Sequence, residues 1–587
     1  MKKFIAVCLT VLCCNFTMMA NTKTVKIRIV QTSDVHGSFF PYDFTNRKPT
    51  SGSLARVSTY VDSLRKSYGK NLILLDNGDI LQGQPSCYFY NYLQTNDQNV
   101  AASIMNYMKY DAQTIGNHDI ETGHIVYDKW MHELKSPTLG ANMINTRTNR
   151  PYVSPYTILV RNDVKIAILG LITPAIPKWL DESLWKNLRF DNMLSSARYW
   201  LGVLQKKEQP DIIIGLFHSG RDGGILTDQY EENASLRIAR EIPGFDLVLF
   251  GHDHASFAET IINSKGDKVT CLDPSNNARL ISDAEITLVV DKNKKLRKGN
   301  KYITSKNVKG KLVDISHIDI NQTFMKHFQP QIELINQFVD RKIGKIENTI
   351  YSRDSYFGCA PFTDLIHDIQ LKVTYADMSF TAPLTFDSKI NKGDIYVSDL
   401  FNLYKFENQI YTVKMTGEEI RKYLEMSYDL WINTMKTPDD HIMLLNEKEN
   451  DDQQRYKFKN LAFNFDSAAG IDYEVDVTKP YGQKVHIIRT SNGKPFDLNS
   501  TYLVAMNSYR ANGGGELITK GAGITEEDLK KRIVFKSDKD QRYYLMKWIE
   551  ETHIIDPQPH HNWRFVPESW TQEALIKDKN LIFGEGK

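Results

Sequence analysis

Asp34 and His36 stand two residues apart, where an alternating apolar run (Val25, Ile27, Ile29, with Val30) gives way to a polar turn at Gly37. The alternation predicts a strand. A carboxylate and an imidazole at its end can aim at a single metal ion. The pattern recurs four more times. Leu72-Ile73-Leu74-Leu75 runs into Gly78 and Asp79, and Ala112 to Ile115 runs into Gly116, Asn117, His118 and Asp119. Ile212 to Phe217 ends at His218, and Leu247 to Phe250 ends at Gly251, His252, Asp253 and His254. Each histidine alone would read as a core or turn residue; the recurrence in one local context overrules that. Oxygen and imidazole ligands without thiolate suit two divalent ions, Mn, Zn, Mg or Fe, rather than a structural zinc. A carboxylate such as Asp79 can bridge two ions about 3.5–4 Å apart, the spacing of two-metal hydrolases.

The elements that must position these residues are short strands alternating with helices. Ser53 to Ser67 and Tyr88 to Met108 have helical spacing, and Val164 to Leu171 reads as a strand. Ligands in open α/β sheets bind beyond the carboxyl ends of strands, where all these candidates fall. The 587 residues exceed one ordinary domain, so two are expected. The composition, 41% hydrophobic and 25% charged with net charge +2, is that of a soluble globular chain. It gives no electrostatic case for a nucleic-acid polymer or a membrane surface.

Met1-Lys2-Lys3, the apolar stretch Phe4 to Phe16 and Met18-Met19-Ala20 read as a secretory signal peptide over 1–20, too short for a comfortable transmembrane span. A periplasmic or secreted protein follows, with a lipid anchor at Cys13 disfavoured by Leu12 before it. Beyond this segment only Cys87, Cys271 and Cys359 remain, which builds no disulfide framework. A monomer is expected.

In their order, Asp34-x-His36, Gly78-Asp79, Gly116-Asn117-His118-Asp119, His218 and Gly251-His252-Asp253-His254 resemble the motifs of the calcineurin-like metallophosphoesterases over roughly 25–290. The resemblance implies an α/β (α+β) fold in which two mixed sheets pack together with helices outside. It places Asp34, His36, Asp79 and His254 on one metal, and Asp79, Asn117, His218 and His252 on a second. His118 would be the catalytic histidine beside the phosphate. Many secreted nucleotidases of this family carry an Asp three residues after that histidine; here Glu121 stands there. Glu121 is either the partner that orients His118 or a first-turn helix carboxylate favoured by the dipole.

Thr323 to Val339 reads as one amphipathic helix, the connector of a division into 21–320, 321–345, a smaller α/β substrate-binding domain over 346–560 and a tail over 561–587. The second domain resembles that of the secreted 5'-nucleotidases. There two aromatics sandwich the nucleobase, which carries over to Phe406 and Tyr509, and a rotation about the connector is expected. Gly513-Gly514-Gly515 would let backbone approach a ligand. Arginines that grip a 5'-phosphate are missing from Phe357 to Ile369 and Ser379 to Leu384. The strings Thr381-Ala382-Pro383-Leu384, Gly470 to Pro480 and Asn507 to Gly514 are more similar to the 2',3'-cyclic-nucleotide 2'-phosphodiesterase/3'-nucleotidases. A nucleotide substrate and phosphoester hydrolysis are therefore expected. The alternatives are a 5'-nucleotidase/UDP-sugar hydrolase, a non-catalytic nucleotide-binding surface protein and a sulfur-ester hydrolase of the same two-domain plan.

Overall fold

The computed structural model describes residues 22–295, 301–446 and 458–584; the signal segment expected over 1–20 lies outside them. Two six-stranded sheets face each other in the first domain. In the first sheet, Thr22–Thr32 lies between Leu280–Lys295, antiparallel, and Leu72–Asp76, parallel; Ala112–Thr114 and Thr138–Leu139 follow on the parallel side. In the second, Val164–Ile172, Ile212–His218, Leu247–Phe250 and Lys268–Pro274 run parallel in that order, with an antiparallel strand at each edge.

The continuous apolar runs follow from burial on both faces. Ile73 and Leu75 point into the layer between the sheets, with Ile27, Ile29, Ile166, Ile168, Ile214 and Leu249. Leu72 and Leu74 point the other way, against Val57 and Val61 of the helix Leu54–Tyr68 and Met105 of the helix Val100–Met108. On the second sheet, Leu169 and Leu171 meet Ala197 and Leu201 of the helix Met193–Val203. The parallel strands of both sheets end on one side, and the candidate ligands emerge there together.

The connector differs from the single helix expected. Gln322–His327 and Gln329–Val339 are separate helices joined at Phe328. Pro330 sits in the first turn of the second, where it lacks an N–H and cannot continue a helix from upstream. The next strand, Lys342–Ile346, already belongs to the second domain, pairing with Gly393–Tyr396 and Ile554–Ile555.

The second domain is built on a five-stranded sheet ordered Ser467–Ala469, Met378–Thr381, Thr501–Asn507, Gln409–Thr416 and Ile533–Asp540. Residues 561–584 are packed into the domain rather than forming a tail. Trp563–Val566 pairs parallel with Ile471–Asp476, and Ile582 and Phe583 of the helix Glu568–Phe583 are buried in the same core as Trp431, Phe465 and Trp563. Their apolar side chains are the physical reason this segment folds back.

Between the domains lies an apolar seam. Phe338 of the connector packs on Tyr88 and Phe89, and Tyr88 meets Phe401 edge-on with ring centroids 5.7 Å apart. Arg542 covers both Tyr88 and Phe401, its guanidinium 4.8 and 4.0 Å from their ring centres.

Candidate metal centre and interdomain cavity

The strand ends are tied to each other by backbone. Asp34 N–H donates to Gly78 O and His36 N–H to Asp79 O, both at 3.0 Å. His252 N–H donates to the Asp34 carboxylate at 3.0 Å. Asp34, His36, Asp79, His252 and His254 all have positive φ, from 47° to 85°. Non-glycine residues rarely hold this conformation, and it concentrates at functional sites, where the surrounding structure enforces it.

Two ligand-rich clusters result: Asp34, His36 and His254, and Asp79, His218 and His252. In the first, His36 Nε2 faces His254 Nε2 at 3.0 Å, and His254 Nε2 is 3.5 Å from Asp34 Oδ1. With Nδ1 facing the Gln82 carbonyl oxygen and so carrying the proton, neutral His36 presents the lone pair of Nε2 to this cluster, as a metal ligand must. In the second, His218 Nε2 lies 3.2 Å from Asp79 Oδ2 and 3.0 Å from Asn117 Oδ1. Asp79 Oδ2 is buried and makes no hydrogen bond, while Oδ1 accepts from His118 N–H at 2.8 Å. A buried carboxylate oxygen without a donor among nitrogen and oxygen ligands fits a divalent ion. The rear nitrogens of the rings are held as ligating histidines require. His36 Nδ1 is 3.1 Å from Gln82 O and His218 Nδ1 is 2.7 Å from Asn77 O.

The electrostatics follow from packing these groups together. Burial opposes ionisation of Asp34, but His254 and His218 outweigh it and bring its pKa down to about 2. Burial and the neighbouring His254 push His36 down to about 3. Burial also disfavours charge on His118 and His218, yet Asp79 lifts both, with Glu121 adding to it at His118: to about 9 for His118 and about 10 for His218.

His118 and Glu121 share the short helix Asn117–Glu121, and His118 Nδ1 lies 2.6 Å from Glu121 Oε2. Sequence reasoning missed what Asp119 does in the same helix. Its carboxylate accepts four backbone N–H groups, from Asp79, Ile80, Leu81 and Gly116, at 2.8–2.9 Å. Asp119 therefore shapes the loops that carry Asp79 and Asn117, and does not join the ligands. Glu232, which also went unread, sits 3.1 Å from His252 Nε2.

A cavity of about 540 Å³ lies between the domains. Asn117, His118, Glu121, Trp179 and His252 line one side, and Phe406, Asn408, Phe463, Asn464 and Tyr509 the other. Asp34, His36, Asp79 and His218 are buried. Phe406 and Tyr509, far apart in sequence, thus meet the metal-side residues in one space, without a rotation of the domains. Among the described residues lining it there is no lysine or arginine.

The aromatic wall is braced from behind. Arg510 is buried and pairs with both oxygens of Asp466, at 2.9 and 3.1 Å. It also donates to Phe463 O, Asn464 Oδ1 and Gly514 O. The glycines make this packing possible. A Cβ on Gly514 would come within 2.5 Å of the Tyr509 ring, and one on Gly515 within 2.2 Å of Arg510 Nη1.

Two family models match the chain: calcineurin-like phosphoesterase over residues 27–256 and 5'-nucleotidase, C-terminal domain, over 342–520. A 2',3'-cyclic-nucleotide 2'-phosphodiesterase/3'-nucleotidase of Haemophilus influenzae is 27% identical over 622 aligned residues, 94% of this chain and 89% of its own. The protein of the same name from Yersinia enterocolitica is 25% identical, covering 96% and 91%. The crystal structure of a 5'-nucleotidase precursor from Thermus thermophilus shares the fold, with a TM-score of 0.62 at 19% identity, over 93% of this chain and 100% of that one.

Proposed function

We propose that this chain, which belongs to the family joining a calcineurin-like phosphoesterase domain to a 5'-nucleotidase C-terminal domain, is a secreted two-metal hydrolase. Its reaction opens 2',3'-cyclic nucleotides to 3'-nucleotides and then releases the 3'-phosphate. The observation that carries the reading is the cavity with His118 and His252 on one wall and Phe406 and Tyr509 on the other. A nucleotide spans these with its phosphate at the ligand clusters and its base at the aromatics.

Asp34, His36 and His254 would hold one ion, Asn117, His218 and His252 the other, with Asp79 between them. Two divalent ions there would act as Lewis acids on a phosphoryl group and make water nucleophilic at neutral pH. His118, held by Glu121, would pair in its protonated form with charge developing on the phosphoryl oxygens or give its proton to the leaving ester oxygen. Glu121 would hold the ring from behind through Nδ1. Phe406 and Tyr509 would stack on the base, which tolerates any base.

The cavity's lack of lysine and arginine favours the cyclic and 3' substrates over the 5'-nucleotidase reading. The arginines expected to grip a 5'-phosphate have no counterpart among the lining residues. Export is supported by Met1 to Ala20, and no described helix is long and apolar enough to cross a membrane. The test is chelation. Protein stripped of metal should lose phosphodiesterase activity and regain it with Mn; a stripped protein that keeps full activity contradicts the reading.

A further inference from the structure

Three of the clustered histidines have a hydrogen-bond partner on a ring nitrogen turned away from the clusters, and His252 is the exception in kind. His36 and His218 use Nδ1 on backbone carbonyls, leaving Nε2 for the centre. His252 instead places Nε2 on a carboxylate, Glu232 Oε1, at 3.1 Å, which leaves Nδ1 as its free ring nitrogen. The third partner is therefore charged, and it grips the ring from the opposite end.

The hairpin that carries Glu232 is built around that carboxylate. Glu232 lies in the strand Glu231–Asn233, paired with Gly223–Leu226. Its second oxygen accepts Ile225 N–H at 2.7 Å, so both oxygens are committed. Gly224 has φ +74°, and a Cβ there would lie 2.5 Å from Glu232 Oε2. The backbone carbonyl of Glu232 accepts the hydroxyls of Thr173 and Ser219 at 3.1 and 2.8 Å. Trp179 packs on His252 with ring centroids 5.7 Å apart. The imidazole is thus held at Nε2 and on its face, and the side chains of His252 and Glu232 are only 10% and 14% exposed.

We propose that Glu232 is a positioning residue for the second metal ion, acting through His252; this rests on the two-metal reading above. A carboxylate behind a ligating imidazole fixes its tautomer and orientation and makes it a stronger donor, and removing such a partner weakens metal binding about 10–100-fold. The effect is confined to one of the two sites, because Glu232 makes no hydrogen bond to Asp34, His36 or His254.

The test is calorimetric titration of the stripped full-length protein with Mn(II), with Co(II) absorption as a second readout of the ligand field. Wild type should take up two equivalents. Glu232→Ala should keep one at wild-type affinity and bind the other about 10–100-fold more weakly, with the Co(II) spectrum changed only for that equivalent. Glu232→Gln, whose amide oxygen still accepts from His252 but carries no charge, should fall between; it carries the test if the alanine variant does not fold. Gly224→Ala, which displaces the carboxylate without removing it, should copy Glu232→Ala. Two equivalents bound as in wild type by Glu232→Ala overturn the proposal, and so does equal weakening of both. A wild-type protein that takes up no metal overturns the two-metal reading itself and this inference with it.

Discussion

His118 Nδ1 and Glu121 Oε2 face each other at 2.6 Å within one short helix, a carboxylate one turn behind the imidazole that lines the cavity. The longer side chain at position 121 therefore reaches the ring. His118→Asn should lower kcat by about 10²–10⁴-fold, the range of a lost general acid. Glu121→Gln should cost less, since the amide oxygen still accepts from Nδ1, and Glu121→Ala more than Glu121→Gln. Steady-state kinetics on a nucleotide substrate decides this; equal rates for wild type and Glu121→Ala would remove Glu121 from the mechanism.

Asp119 is a buried carboxylate with four backbone donors and no ligand role. Asp119→Ala orphans those N–H groups, and each buried orphan costs about 1–3 kcal/mol. Unfolding in urea should show a loss of at least about 4 kcal/mol, together with loss of metal uptake, because the Asp79 and Asn117 loops are no longer held. An alanine variant as stable as wild type would show that water replaces the carboxylate at no cost.

On the proposed reading, Phe406 and Tyr509 act on binding alone. Stacking contributes on the order of 1–3 kcal/mol per base, so Phe406→Ala and Tyr509→Ala should each raise KM for nucleotides by about 5–150-fold with little change in kcat. Neither should alter hydrolysis of a small aryl phosphodiester that carries no base. A matching loss on that baseless substrate would mean the two rings support the fold instead.

His560 gives a pH-dependent contribution to stability. Its Nε2 lies 2.9 Å from Asp368 Oδ1 and its Nδ1 3.6 Å from Asp364 Oδ1, pinning the chain near 560 to the helix Pro361–Thr374. Burial disfavours the charged ring, but Asp368 and Asp364 prevail and raise its pKa above the ordinary value. A group whose pKa is raised on folding stabilises fully below its unfolded pKa of about 6.5, and the effect fades as pH rises through the folded value. The Tm difference between wild type and His560→Asn should therefore be largest below about pH 6.5 and shrink on the alkaline side. A difference that grows with pH would reverse the assignment.

The residues of the two candidate clusters were legible because their chemistry is local: Asp and His at strand ends advertise themselves by type and position. The choice at Glu121 was not legible, since a helix-start carboxylate and an orienting one look alike until the helix is placed. Asp119 stands in the motif without a role of its own, and only its backbone partners reveal a cap. Glu232 carries no motif; a hairpin from elsewhere in the chain brings it to His252. Other differences had signals in the chain. Pro330 marks the break in the connector, and the alternation of Trp563, Arg564 and Phe565 marks a strand where a tail was expected. The joining of Phe406 and Tyr509 to the metal side depends on the Phe338, Tyr88 and Phe401 seam, which is set by tertiary packing and by no local pattern.

In the proposed function, one cavity opens a cyclic phosphate on the ribose and then removes the 3'-phosphate. Following Mn-loaded protein by chromatography with 2',3'-cyclic AMP, 3'-AMP and 5'-AMP in parallel tests it most directly. Conversion of 2',3'-cyclic AMP to 3'-AMP and then adenosine is expected, with turnover of 3'-AMP alone and much slower turnover of 5'-AMP. Rapid hydrolysis of 5'-AMP with the cyclic nucleotide left intact would contradict it and leave a 5'-nucleotidase.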